Sequence, residues 1–220
     1  MTSRSSQTIG VTLAALAGIH QMVIASLPLN DDFVHRTLAM QLLAGELPMR
    51  DFLDVGGMLS YGIAAGAQLL FGHRLLSEAV VLTVMMAFST FLVFALVRDL
   101  TGSTTAAALS AVLLVVAGLR GYAYPKMVVY AVAAALWWSY VREPTRGKML
   151  ALGAWVAVAF YWRPDHAVYV AIGAALAAGA VHGLNWLVAI RLGQAAAVSL
   201  VGIAPVLVLA AGTIGLRCAR

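Results

Sequence analysis

The sequence contains few charged residues and only one cysteine. Charged residues make up 10% of its 220 residues, against about 25% in an ordinary soluble domain. A soluble fold of this size would lack the polar side chains needed to cover its surface, which excludes a soluble globular enzyme, a disordered chain and a nucleic-acid-binding module. The single cysteine, Cys218, also excludes an internal disulfide framework and a cysteine-based metal cluster.

Long apolar runs take the place of the missing charges. Hydrophobic residues make up 62% of the chain, and a membrane-spanning helix needs about 20 of them in succession. The sequence therefore predicts an all-α fold, a polytopic transmembrane helical bundle of about seven spans forming one domain over residues 1–220. The predicted spans are Ile9–Leu29, Leu75–Val97, Thr104–Leu119, Met127–Val141, Met149–Trp162, Ala167–Val181 and Gly193–Leu216.

Two of these runs have further features. The first could instead be a signal peptide cleaved near Ala25, but its length and the spans that follow favour a membrane helix. Small residues recur in the later runs, at Gly173, Ala177 and Gly179, and they predict close helix packing there.

The segment Met58–Gly72 is apolar but only about 15 residues long, so it could cross the membrane or lie at its surface. Basic residues of multi-pass proteins concentrate in cytoplasmic loops, and the densest basic loop is Arg142–Lys148. That loop lies on the cytoplasmic side together with the N-terminus only if Met58–Gly72 does not cross the membrane. We therefore predict juxtamembrane helices in a first extracytoplasmic loop at residues 30–74, in a protein of the cell (inner) membrane.

The first outer loop holds five of the nine acidic residues in the chain. They are Asp31, Asp32, Glu46, Asp51 and Asp54. Asp31 and Asp32 directly follow the first span and could cap a helix there. Gly45 and Pro48 would end that helix near Ala44. A carboxylate at a helix N-terminus also stays ionised, so it could accept a proton or bind a divalent cation, and the two interpretations are compatible.

Other outer residues are charged or aromatic. Arg50, Asp51 and Asp54 could form a solvated ion-pair cluster, or they could recognise polar hydroxyls. The segments Arg120–Lys126 and Tyr161–Tyr169 combine cations with aromatic rings at the level of the membrane interface. Interfacial anchoring is the favoured interpretation of Tyr122, Tyr124, Trp162 and Tyr169.

The second of these segments also predicts a helix start. Pro164 fits the first position of a helix, with Asp165 in its first turn. Arg163 and His166 could contact a lipid phosphate, and for His166 a simple interfacial histidine is favoured over a metal ligand.

The first loop resembles a known superfamily. An acidic pair at Asp31–Asp32 is followed by the pattern A-x-x-L-L-A-G-E-L-P-x-R-D-F at Ala39–Phe52 and by L-F-G at Leu70–Gly72. This order resembles the GT-C superfamily, polytopic glycosyltransferases that use polyprenyl-phosphate sugars and include the protein O-mannosyltransferases and lipid A aminoarabinose transferases. Phe160–His166 resembles a span boundary of bacterial members, and the resemblance covers about residues 7–181.

The resemblance implies an inverting sugar transfer from a polyprenyl-phosphate donor to a lipid, glycan or protein acceptor outside the cytoplasm, among the membrane lipids. Asp31 matches the family's general base, and Asp32 matches a second acid that is often Glu in relatives. Some relatives use a divalent cation, so Mg²⁺ or Mn²⁺ is an option, with Asp32 as its candidate ligand. Positive charge for the donor phosphate would come from Lys126, Arg163, Arg120 and His166. The acceptor or sugar would be bound by Arg50, Asp51 and Asp54.

Members of the superfamily usually have longer chains, so this sequence is expected to be an N-terminal portion, truncated at its C-terminus. Two other functions remain open. A transporter or lipid flippase would carry ionisable residues within its spans, as His20 and Glu78 are here, although no half-repeat is detectable. The other is an inactive membrane fragment or scaffold.

Overall fold

The computed structural model describes residues 4–24, 30–48, 50–52, 57–117 and 126–218. These residues form nine α-helices and no strand, apart from one bridge between Pro48 and Phe52. The helices are α1 (Arg4–Ile24), α2 (Asn30–Leu43), α3 (Met58–Phe71), α4 (Leu75–Thr101), α5 (Thr104–Ala117), α6 (Lys126–Arg142), α7 (Arg146–Trp162), α8 (Pro164–His182) and α9 (Trp186–Cys218). The predicted all-α class is confirmed, and a helix lies at each of the seven predicted spans.

Four helices in the described part of the chain, α1, α4, α8 and α9, are long and apolar enough to cross a membrane. A helix is suited to this environment because it satisfies its backbone hydrogen bonds internally. Large apolar side chains also face outward, among them Leu176 and Val201, as a hydrocarbon surrounding allows. These features are those of a multi-pass membrane protein.

The chain divides into two compact units. The first comprises Met1–Thr37 and Ile63–Ala135, and in it α1 packs against α4 and α5. A side-chain carbon at Gly10 would lie 2.7 Å from the Phe94 ring, and one at Gly18 would lie 3.3 Å from Thr83. Because later residues of α1 meet earlier residues of α4, the two helices are antiparallel.

The second unit comprises Leu38–Gly62 and Leu136–Arg220, and α7 packs between α8 and α9. At Gly153 the backbone of Ala195 in α9 comes so close that it leaves no room for a side chain. The hydroxyl of Ser199 lies 2.8 Å from the Gly153 carbonyl oxygen, and the Tyr161 hydroxyl donates to the Gly202 carbonyl at 2.9 Å. These contacts join α7 to α9 without a gap.

The predicted close packing of small residues holds at two of its three positions. Gly173 lies directly against the Trp137 indole, and Ala177 is part of the buried core of the second unit. A side-chain carbon added at Gly179 would meet nothing within 4 Å, so the prediction is wrong there, because no neighbouring helix lies against that position of α8.

The loop between α6 and α7 is the one with the densest positive charge. Lys148 donates to the Ser139 carbonyl at 2.9 Å and forms an ion pair of 2.9 Å with Glu143. Its amide also donates to the Thr145 hydroxyl, the cap at the start of α7. Lys148 thereby holds the two helix ends together.

Candidate functional site

The acidic pair of the first loop lies in the first turn of α2, directly at its start. Acidic residues are favourable there because the helix dipole is positive at its N-terminus. The helix ends at Leu43, and Gly45 follows with a φ of 86°, the left-handed conformation that glycine adopts without strain. The predicted helix and its end are confirmed. The side chains of Asp31 and Asp32 lie outside the described part of the structure, so their capping role and their proton chemistry stay predictions.

Arg36 ties this helix to the turn between α3 and α4. Its Nη2 donates to the carbonyl oxygen of His73 at 2.8 Å, across 37 residues of sequence. Arg36 follows Asp32 by four residues, so the two positions share one face of α2. The contact therefore ties α2 to the turn that precedes α4.

The same turn is held by neighbouring polar side chains. His73 Nδ1 lies 3.1 Å from the Gln68 side-chain oxygen, within hydrogen-bond distance. The Ser77 hydroxyl donates to the Gly72 carbonyl at 2.5 Å. Gln68 is 1% exposed, and its Nε2 has no hydrogen-bond partner among the described atoms.

The second half of the loop is a charged turn at the surface. The Asp51 carboxylate accepts from the Leu47 amide at 2.8 Å and from Arg50 Nη2 at 2.7 Å. The hydrogen bonds from Arg50 and then from the Leu47 amide lower the pKa of Asp51, and the same pairing raises the pKa of Arg50. The solvated ion pair predicted here is present. Asp54 lies outside the described residues, and recognition of hydroxyls stays a prediction.

The boundary between α7 and α8 matches its predicted helix start, with Pro164 first in α8 and Asp165 in the first turn. Arg163 Nε donates to Asp165 at 3.1 Å, and both side chains are about half exposed. His166 is only 3% exposed, so the favoured interpretation as a simple interfacial histidine is wrong: the first turn of α8 directs it inward.

The aromatic residues of the outer segments divide in the same way. Trp162 is 4% exposed, too buried for the interfacial anchor that was predicted, because it lies on the packed side of α7. Tyr169 is 57% exposed, as anchoring requires. Tyr122, Tyr124 and Arg120 lie outside the described residues.

Lys126, the remaining predicted phosphate ligand, is the first residue of α6. It belongs to the first unit and Arg163 to the second, so the two are described separately. The structure thus places Arg50 with Asp51, and Arg163 with Asp165 and His166.

No family model, curated protein or solved structure matches this chain. The GT-C resemblance therefore depends on the first-loop residues themselves.

A divalent cation would need several oxygen or nitrogen ligands together. Among the described side chains, no three or more His, Cys, Asp or Glu residues come together as such a site requires. The candidate ligand Asp32 is not among those side chains, so its role toward Mg²⁺ or Mn²⁺ stays a prediction.

Sequence reasoning missed the Arg36–His73–Gln68 network. One signal was present, since Gln68 is the one amide in the apolar helix α3, and a buried amide usually has a hydrogen-bond partner. The partners, the His73 carbonyl for Arg36 and the His73 ring for Gln68, could not be predicted, because no sequence pattern marks a backbone carbonyl or a histidine as the partner of a given side chain.

Proposed function

We propose that this protein is a membrane glycosyltransferase that moves a sugar from a polyprenyl-phosphate donor to an extracytoplasmic acceptor by inverting transfer. The observation that carries the proposal is the first loop: its acidic pair begins α2, and Arg36 ties that helix to the turn before a membrane-length helix. A general base must be held at a constant position relative to the membrane-embedded donor. The tether supplies such a position.

The proposed reaction assigns the proton and the leaving group. Asp31 accepts the proton of the acceptor hydroxyl while that oxygen bonds to the anomeric carbon. The bond from this carbon to the phosphate oxygen breaks, and polyprenyl phosphate leaves with the electron pair. Attack opposite to the leaving group inverts the anomeric centre.

The donor phosphate needs positive charge as it leaves. Lys126, Arg120, Arg163 and His166 are the proposed sources. Arg163 is half exposed and already pairs with Asp165, so a phosphate would compete for an accessible cation. His166 is buried and would act only after a change in its packing.

The proposed topology has seven spans, a cytoplasmic N-terminus, and α2 and α3 at the outer face of the inner membrane. Support for α3 comes from its last three residues, Leu69, Leu70 and Phe71, which are all exposed. Consecutive exposed apolar side chains at a helix end suit a helix lying in the membrane interface.

The test is transfer from labelled polyprenyl-phosphate sugars by the full chain in membranes. Asp31→Asn should abolish product while membrane insertion persists, because an amide cannot accept the proton. Glu46→Gln removes an acidic residue of the same loop to which no role is assigned, so it is the matched control and should retain transfer. Full transfer by Asp31→Asn would remove Asp31 from the mechanism.

Lipid flipping or transport is the second candidate function. It is favoured by two ionisable residues inside membrane-length helices, His20 in α1 and the buried Glu78 in α4. Movement of labelled lipid across reconstituted vesicles, without sugar transfer, would select this function. If correctly inserted protein shows neither sugar transfer nor lipid transport, the result would favour a membrane scaffold.

A further inference from the structure

Four helix ends of the second unit meet at one end of the unit. The 143–145 loop joins α6 to α7, and the 183–185 turn joins α8 to α9. The Tyr140 hydroxyl of α6 lies 2.9 Å from His182 Nε2 of α8. The Tyr140 side chain also belongs to one buried cluster with residues of α7, α8 and α9. The loop and the turn are therefore neighbours.

The 183–185 turn has exposed apolar residues around it. It joins α8 to α9, which are both long and apolar enough to cross a membrane, so the turn would lie at a membrane surface. Leu184 is 99% exposed and Trp186 is 78% exposed. Tryptophan is enriched where a membrane meets water, because its ring is apolar and its N–H is polar. The two side chains therefore suit insertion between lipid molecules.

The same end of the unit is strongly basic. Residues 139–149 and 182–191 contain four cations and one carboxylate, Glu143, a net charge of +3. The cations are Arg142, Arg146, Lys148 and Arg191. A patch with this excess of positive charge attracts anions.

Two of these cations differ in what holds them. Lys148 donates to the Ser139 carbonyl and pairs with Glu143, so it has a structural role. Arg146, in contrast, is exposed and has no side-chain hydrogen bond or ion pair within the described part of the chain. It is the first residue of α7, where the helix dipole makes a cation unfavourable, and the first turn has no acidic residue to offset it. Arg146 therefore does not stabilise α7, and its charge is available to an anion from outside.

The packing of α7 on α9 brings a second arginine to a similar depth. Gly153 of α7 lies against Ala195 of α9, and later residues of α7 meet later residues of α9, so the helices are parallel. Arg191 precedes Ala195 by four residues, and Arg146 precedes Gly153 by seven. The two arginines thus differ in depth by three residues, about 4.5 Å along the axis. Long basic side chains near a helix end can extend to the membrane surface, so both can reach one headgroup layer.

We propose that this end of the second unit binds an anionic phospholipid, with Arg146 and Arg191 at its phosphate and Leu184 and Trp186 against its acyl chains. Charge complementarity selects the anionic headgroup, and the exposed apolar pair selects a lipid over a soluble anion. The site is independent of the proposed sugar transfer, since it uses none of the residues assigned to that reaction.

The test uses the purified full chain in phosphatidylcholine nanodiscs and two probes, phosphatidylglycerol and phosphatidylcholine with the same diazirine on the same acyl chain. Each probe is added in turn at the same small fraction, and irradiation is followed by peptide mass analysis. The peptide that contains the 183–185 turn should be labelled about 25-fold more by phosphatidylglycerol, since each arginine near an anionic lipid is expected to contribute about fivefold. The ratio of the two labelling yields cancels contact with bulk lipid.

Substitutions assign the ratio to the two arginines. Arg146→Gln should lower it about fivefold, and since Arg146 is exposed the fold should persist. Arg191→Gln should lower it by a similar factor, whereas Arg191→Lys keeps the charge and should retain it. Arg74→Gln is the matched control: it removes the same charge from an exposed arginine of the first unit and should leave the ratio unchanged. If Arg191→Gln does not yield monodisperse protein, Arg146→Gln and Arg74→Gln decide between a local site and net charge.

Three outcomes would overturn the proposal. The first is equal labelling by the two probes in the wild type, which would mean contact with bulk lipid. The second is an equal loss in Arg146→Gln and Arg74→Gln, which would mean an effect of net charge alone. The third is loss of the preference in inorganic phosphate but not in sodium chloride of the same ionic strength, which would assign the arginines to a soluble anion. Sugar transfer is not a readout here, so failure of this site leaves the proposed function untouched.

Discussion

The two units use helices of similar composition but pack them differently. In the second unit α7 and α9 meet at Gly153 and Ala195, so closely that a side chain on the glycine has no space. In the first unit α1 and α5 face each other through Leu13, Leu16 and a row of valines, and a cavity remains between them. Small residues bring two helices together only where both surfaces lack bulk. Where both carry branched side chains, the helices stay apart and a cavity remains.

The largest effect is expected where the close contact is broken. Gly153→Val should lower the stability of the second unit by about 1–3 kcal/mol, the usual cost of overpacking, because the new side chain would overlap the Ala195 backbone. The measurement is the thermal midpoint of the full chain in detergent. Gly179→Val is the matched control, since a side-chain carbon added at Gly179, also within a helix, would meet nothing within 4 Å.

The same experiment can be run on the first unit. Val116→Phe enlarges a side chain that lines the cavity and is already exposed, so it should change the midpoint far less than Gly153→Val. Equal losses of stability in the two variants would contradict the distinction between a filled and an open helix interface.

A smaller effect is expected at the tether of the first loop. Arg36→Ala removes the hydrogen bond to the His73 carbonyl, so the amides of α2 and of residues 72–74 should exchange with deuterium about three to ten times faster, as the loss of one partly exposed hydrogen bond predicts. Arg74→Ala, in the same turn, is the control. Unchanged exchange in Arg36→Ala would show that α2 is positioned by other contacts, and it would weaken the support for a base held by this helix.

The smallest effect is expected from pH at the Leu47–Asp51 turn. The folded pKa of Asp51 is lowered by Arg50 and by the Leu47 amide, so its contribution to stability is present above the unfolded value, about 3.9, and is lost as the pH falls through the folded value. The protection of the Leu47 amide, measured against its intrinsic exchange rate at each pH, should therefore decrease as the pH falls below the unfolded value of Asp51, about 3.9. Asp51→Asn should remove this pH dependence, and a profile unchanged by the substitution would exclude Asp51 as its source.

The sequence predicted the helices well, because their signals are local. A helix lies at each predicted span, although only four helices of the described part are long and apolar enough to cross a membrane. Gly45 follows the end of α2, and Pro164 begins α8. Each of these three signals depends on a few neighbouring residues: the length of an apolar run, a glycine that adopts the left-handed conformation, and a proline whose φ already fits a helix.

The site was predicted only in part. The position of Asp31 and Asp32 at the start of a helix and the Arg50–Asp51 pair follow from residues close in sequence. The burial of Trp162 and His166, in contrast, depends on which face of each helix is covered by neighbouring helices. At a span boundary the sequence pattern of an anchor and that of a buried residue are the same.

The sequence by itself determined the helical class, the membrane character and the concentration of acidic residues in one loop, since composition and local pattern are sufficient for each. Only the tertiary structure decided the Arg36 tether, the contact at Gly153 and the cavity between α1 and α5. These features arise where side chains far apart in sequence meet, and the volume of each side chain against its distant neighbour decides whether helices touch, exchange a hydrogen bond or leave space.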